Sequence, residues 1–142
     1  MNDRPDVALA AGVPGVQLGH RSIPVQAVRS LMGDDVVIGY SAHGASEAAS
    51  AAENGADFVI VGTIWSSASH PDREGAGVGR IRDTSAATEV PVVAIGGVTP
   101  DRTRAALAAG AWGVAVVRGV WETDDPVAAA ASYLHQLNVD TP

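Results

Sequence analysis

One pattern of apolar and polar positions recurs three times along the chain. LAAGVPGVQLG at 9–19, AENGADFVIVG at 52–62 and LAAGAWGVAVV at 107–117 each pass from an Ala-rich segment, through a glycine at 12, 55 or 110, to a short apolar run. The glycine stands where a helix carboxyl end favours positive φ, and the β-branched run that follows suits a strand covered on both faces. Each segment therefore reads as an αβ turn. Apolar runs at 36–40 and 91–95 complete a set of five strands. Helical patterns fall at 24–32, 45–54, 77–87, 101–109 and 125–137, with a shorter one at 5–11, giving about six helices. Asp101 after Pro100, and Pro126 after Asp124 and Asp125, are helix-start signals. Strict alternation of strand and helix predicts a parallel sheet with right-handed crossovers. No linker divides residues 1–142, so one domain is expected, with 140–142 as a loose tail.

Composition narrows the chemistry. A chain of 142 residues is long enough for one core but short of the ~250 residues typical of a closed eight-stranded β/α barrel. With 46% hydrophobic residues it is not a disordered chain. Nine basic against sixteen acidic residues leave a net charge of -7, which argues against a nucleic-acid partner. All nine basic residues are Arg, so Schiff-base catalysis and a phosphate-loop lysine are excluded. The absence of Cys removes disulfides, thiolate nucleophiles and Cys-ligated metals, as fits a cytoplasmic protein. The first twelve residues include Asp3 and Asp6 and lack a signal-peptide pattern, and no apolar run reaches the ~18 residues of a membrane span.

Small and polar residues follow the strands: Gly19 and His20, Ser41 to His43, Gly62 and Thr63, Gly96 and Gly97, Arg118 and Gly119. Parallel strands direct these positions to one rim, where ligands bind in α/β folds. The turn Gly96-Gly97-Val98-Thr99-Pro100 leads from a strand into a helix, and exposed amides at such a turn suit a phosphate. Val117 and Arg118, at the end of the next strand, are expected beside it with further N–H groups and a cation. His43 and His70 are candidate acid/base groups because imidazole titrates near neutrality. No two His residues have the i, i+4 spacing of a zinc helix. The long polar segment at 65–79 leaves the carboxyl end of a strand, and loops of this length are commonly functional.

The Gly-Gly-Val-Thr-Pro turn, the Ser41-Ala42-His43 strand end and the opening Asn2-Asp3-Arg4 together resemble the thiamine-phosphate synthase and thiazole tautomerase (TenI-like) family. The likeness covers nearly the whole chain. It implies an incomplete (β/α)8 (TIM) barrel, whose five parallel strands correspond to the family's fourth to eighth. The family's Gln-x-Arg-x-Lys substrate motif, on its early strands, has no counterpart here. Five units cannot close a barrel alone, so a homo-oligomer or a complementing chain is expected to cover the open side.

The same resemblance implies residue roles. Asn2 and Ser41 would contact a pyrimidine diphosphate and Asp3 a magnesium ion. Ser67, Ala68 and Ser69 would bind a thiazole phosphate, with Gly96, Gly97, Val117 and Arg118 completing the phosphate cup. His70 stands where the family has a diphosphate-binding lysine, Ser22 replaces its second magnesium aspartate, and Arg118 replaces its usual Ser. The position of the tautomerases' proton-shuttling His is Thr63. The expected activity is the joining of hydroxymethylpyrimidine diphosphate to thiazole phosphate with release of pyrophosphate. The alternatives are a metal-free thiazole-phosphate tautomerase using His43 or His70, and a non-catalytic phosphate-ligand-binding remnant.

Overall fold

The computed structural model describes residues 1–66 and 74–138. Five strands, β1 (Gly15–Leu18), β2 (Val37–Ala42), β3 (Phe58–Val61), β4 (Val92–Ile95) and β5 (Gly113–Ala115), form one parallel sheet in sequential order. Seven helices accompany them: α1 (Pro5–Ala10), α2 (Val25–Met32), α3 (Ala45–Glu53), α4 (Val78–Ala87), α5 (Pro100–Ala108), α6 (Arg118–Trp121) and α7 (Pro126–Asn138). Every strand neighbours the next in sequence through a helical crossover, as in the wall of a β/α barrel. No described helix is long and apolar enough to cross a membrane.

Period-two alternation sorts the strand side chains into two unequal faces. Val16, Leu18, Ile38, Val59, Val61, Val92 and Ala94 are buried in one cluster with Ala8, Val28, Ala48, Ile81 and Ala106 from the helices. The alternate residues Gln17, Ser41, Phe58, Ile60, Val93 and Ile95 are only partly buried. Gly39 makes this second face possible, since a Cβ there would overlap the Gln17 amide oxygen and the tip of the Phe58 ring.

The two edges differ. Residues 1–3 lie along the outer side of β1: Gln17 donates its N–H to the Met1 carbonyl at 2.8 Å, and Asp3 donates to the Gln17 carbonyl at 3.0 Å. Among the described residues, β5 pairs only with β4. Apolar sequence continues through Val116 and Val117, but pairing ends at Ala115, opposite the last residue of β4. The chain then turns into α6 at Arg118, which accounts for the seventh helix that periodicity alone does not predict.

Arg29 fastens the opposite, amino-terminal end of the sheet. Its guanidinium donates to the carbonyls of Gly33, Val36 and Gly55 and to Asp57, whose carboxylate also accepts the Ile38 N–H at 2.6 Å. One planar fork thus joins α2 to the starts of β2 and β3, a geometry that Lys cannot reproduce. Arg29→Lys is expected to lower the unfolding free energy by about 2 kcal/mol, from lost charge-assisted hydrogen bonds, as measured by urea denaturation.

Candidate functional site

The turn after β4 is shaped by what crosses it. Gly96 and Gly97 both have positive φ, and a Cβ on Gly97 would stand 2.6 Å from the carbonyl oxygens of Trp65 and Ser66. The chain leaving β3 runs directly along the turn, with Trp65 donating to the Gly96 carbonyl at 3.0 Å. Ser67, Ala68, Ser69 and His70 follow immediately and lie outside the described residues.

Arg102, in the first turn of α5, donates from Nη1 to the Gly97 carbonyl at 2.7 Å and lies 5.5 Å over the Trp65 ring. That stacking adds a cation–π attraction to the hydrogen bond. Sequence reasoning missed Arg102, although its place just inside the helix that follows the paired glycines was a signal.

Tyr133 joins this turn to the next. Its hydroxyl, from α7, donates to the Val98 carbonyl at 3.1 Å and fills the space that a Cβ on Gly119 would need. Burial pushes the phenol above its ordinary pKa, so it remains a donor. The β4 turn and the start of α6 therefore lie side by side, as expected. The amides of Gly97 and Val117 donate to no acceptor among the described residues. Arg118 is already engaged, its Nε 2.6 Å from the Glu122 carboxylate. Any anion must share that cation with Glu122.

A second polar group gathers at the ends of β1 and β2. Ser22 donates its hydroxyl to Asp3 Oδ1 while accepting the Gly19 N–H at 2.7 Å, and Asn2 Nδ2 donates to Asp3 Oδ2 at 2.6 Å. Gln17 donates from Nε2 to Ser41 Oγ at 2.9 Å. Asn2, Asp3 and Ser22 thus come together, and Gln17, which forms a bridge with Asn2, extends the network to Ser41. As a magnesium site this donor set is poor: one carboxylate, with both oxygens engaged, faces a hydroxyl. No cluster of three or more His, Cys, Asp or Glu able to hold a metal occurs among the described residues. These residues do not fit a two-carboxylate magnesium site.

His43 stands at the same rim, its Nδ1 3.1 Å from Glu47 Oε2, the oxygen that also accepts the His43 N–H at 2.8 Å. The His20 ring packs edge-on against His43, with centroids 5.5 Å apart. A cavity of about 500 Å³ adjoins this group, lined in part by His20, Gln26, Tyr40, Glu47 and Ser50. Burial, and secondarily Glu47, raise the Tyr40 phenol pKa. Sequence reasoning named His43 and missed Glu47, four residues on and one helical turn away.

Sequentially ordered parallel strands with their polar groups gathered at the carboxyl ends define the wall of a TIM-type barrel. A family profile described as thiamine monophosphate synthase matches residues 1–120, and the chain belongs to that family. The bifunctional thiamine biosynthesis protein ThiM/ThiE of Symbiobacterium thermophilum is 44% identical over 138 residues, covering 96% of this chain and 29% of that protein. Thiamine-phosphate synthase of Saccharopolyspora erythraea is 42% identical over 140 residues, covering 96% and 63%. Among solved structures, thiamine phosphate pyrophosphorylase of Pyrococcus furiosus superposes with a TM-score of 0.84 at 32% identity, covering 96% of this chain and 65% of that one. A 3-hexulose-6-phosphate synthase, at 19% identity and TM-score 0.73, shares the fold alone. The chain spans less than two thirds of the length of these thiamine-related relatives.

The His43 amide, and secondarily its imidazole, hold the Glu47 carboxyl below its ordinary 4.5 against the opposing effect of burial. A carboxyl lowered on folding stabilises above its unfolded pKa and loses that contribution as pH falls through the folded value. Thermal melts across the acid range should therefore show Glu47→Gln less stable than wild type above about pH 4.5, with the two curves converging below it. A constant offset at every pH would disprove the linkage.

Proposed function

We propose that this chain acts in thiamine biosynthesis by holding a thiazole phosphate between the β4 turn and the start of α6, for thiamine-phosphate synthase chemistry. The supporting observation is the Tyr133 link, which joins the loops that carry the Gly97 and Val117 amides, neither of which donates to an acceptor among the described residues. Backbone amides fixed in this way bind a phosphate without reorganising.

In the proposed reaction the bond between the pyrimidine methylene carbon and the pyrophosphate oxygen breaks, and pyrophosphate departs with the electron pair. The thiazole nitrogen then donates its lone pair to that carbon. Asn2 and Ser41, joined through Gln17, would orient the pyrimidine diphosphate at the neighbouring rim. Arg118 would help hold the thiazole phosphate while turning from Glu122. Magnesium, which the family resemblance attaches to Asp3, carries no step here because the donor set does not fit it.

A second reading has its own support. The contact of His43 Nδ1 with Glu47 leaves Nε2 available for proton transfer, as a metal-free thiazole-phosphate isomerase would require.

Titration calorimetry with thiazole phosphate tests the binding claim. Saturable heat is expected in the wild type, with Kd raised at least ~10-fold in Gly97→Ala, whose Cβ is strained at positive φ and collides with backbone. Absence of heat would overturn the proposal. Pyrophosphate release on adding the pyrimidine diphosphate then supports the synthase reading, isomerisation without added metal the second one, and binding without either a non-catalytic role.

The Asp3–Ser22 contact yields a separate expectation. Ser22→Asp should introduce magnesium binding that the wild type lacks, seen as a calorimetric isotherm with magnesium chloride; equal binding by both proteins would show that the Asp3 carboxylate alone suffices for the ion.

A further inference from the structure

We propose that the groove between α2 and α3 binds a small planar organic cation, an amidine or a protonated aromatic amine, through the Glu47 carboxylate. The groove stands apart from the phosphate site proposed above. Along β2, Ile38, Tyr40 and Ala42 share the face turned towards the helices, and Gly39 and Ser41 share the other. Tyr40 therefore lines the groove from the helix side of the sheet, while Ser41 meets Gln17 on the opposite side.

Small side chains leave this space open. α3 packs closely on α4 and has little contact with α2. Ser46 and Ser50, one turn apart on α3, add little bulk to the groove wall, and the buried Val25 and Ala51 lie beneath. About 500 Å³ remains, within the range of small-molecule sites.

The lining selects the charge of the occupant. Among the described residues that form it, Glu47 is the one carboxylate and none is Arg. An anion is repelled there, and by the chain's net charge of -7 as well. Glu47 Oε2 is committed to the His43 amide and ring, whereas Oε1 accepts no hydrogen bond from a described residue. The His43 amide holds the carboxyl below its ordinary pKa, so it is ionised at neutrality. A lone carboxylate is too few ligands for a metal ion, but a cationic N–H satisfies Oε1 with a charge-assisted hydrogen bond.

The remaining groups suit an N–H-rich, flat molecule. The Tyr40 ring offers a surface on which a planar cation can stack. Asn54 spends its Nδ2 on the Ser50 carbonyl and keeps Oδ1 as an acceptor. The Gln26 amide and the Tyr40 hydroxyl bond to no described residue.

Amide NMR of the full chain, titrated with benzamidine at constant ionic strength, tests this. Saturable shifts are expected at residues 19–26 and 46–54, with a Kd of about 1 mM or tighter, and none with benzamide, its neutral analogue. Glu47→Gln should raise the Kd at least ~10-fold. That change also touches His43, so Ser50→Leu, at an exposed helix position, provides a second variant that fills the groove and should weaken binding equally. Glu53→Gln, exposed on the same helix outside the groove, should leave the Kd within ~2-fold. The inference fails if benzamidine gives no saturable shift there by about 10 mM, or if benzamide binds as well. It also fails if Glu47→Gln or Ser50→Leu binds like the wild type, or if Glu53→Gln weakens binding as much as Glu47→Gln.

Discussion

A parallel strand satisfies its backbone only when both edges are paired or solvated, and the described sheet has five strands. The pairing of those strands organises the described residues. The face turned towards the helices is sealed by Val, Ile, Leu and Ala, while the opposite face remains partly exposed because no further wall crosses it. At one margin the chain supplies its own partner in residues 1–3, which also places Asn2 and Asp3 at the rim. At the other, β5 pairs only with β4 among the described residues, and Trp121, Val127 and Leu134 are exposed.

The proposed phosphate site would work under an unusual restriction. The chain has no lysine and a net charge of -7, so its long-range field repels a phosphate rather than drawing it in. Local donors must overcome that repulsion. Arg118 is shared with Glu122, and Arg102 is held between the Gly97 carbonyl and the Trp65 ring, so neither is a loose charge waiting for a ligand. In the proposed site, fixed amides would do the holding instead. Their dipoles are oriented by the fold, and substitution of Gly97 acts on them through backbone geometry rather than through charge.

The strands and helices were legible in sequence because the αβ turn is local: an Ala-rich helix, a glycine and a β-branched run sit within eleven residues. Where β5 ends was not legible, because Val116 and Val117 are as apolar as the residues before them and the limit is set by the length of β4. Long-range contacts were hidden for the same reason. Tyr133 reaches Val98 across 35 residues, and Arg102 acts through Trp65, so neither bears a local mark. Glu47 was within reach of sequence reasoning, since a carboxylate four residues after His43 at a helix start is a recognisable spacing. The grouping of Asn2, Asp3, Ser22 and Ser41 came from family resemblance, and the hydrogen bonds among them and through Gln17 are what the structure adds.

A lone carboxylate at a rim needs partners for both oxygens, and at Asp3 these are Ser22 and Asn2. A second aspartate in place of Ser22 would repel Asp3 unless a cation lay between them; a hydroxyl donates to it directly. A serine at position 22 makes the contact with Asp3 attractive, where an aspartate would make it repulsive without a cation. Backbone hydrogen bonds also keep the segment of residues 1–3 on the edge of β1, so retention of that segment is no measure of metal use. Binding of the divalent ion itself is the quantity that separates the two.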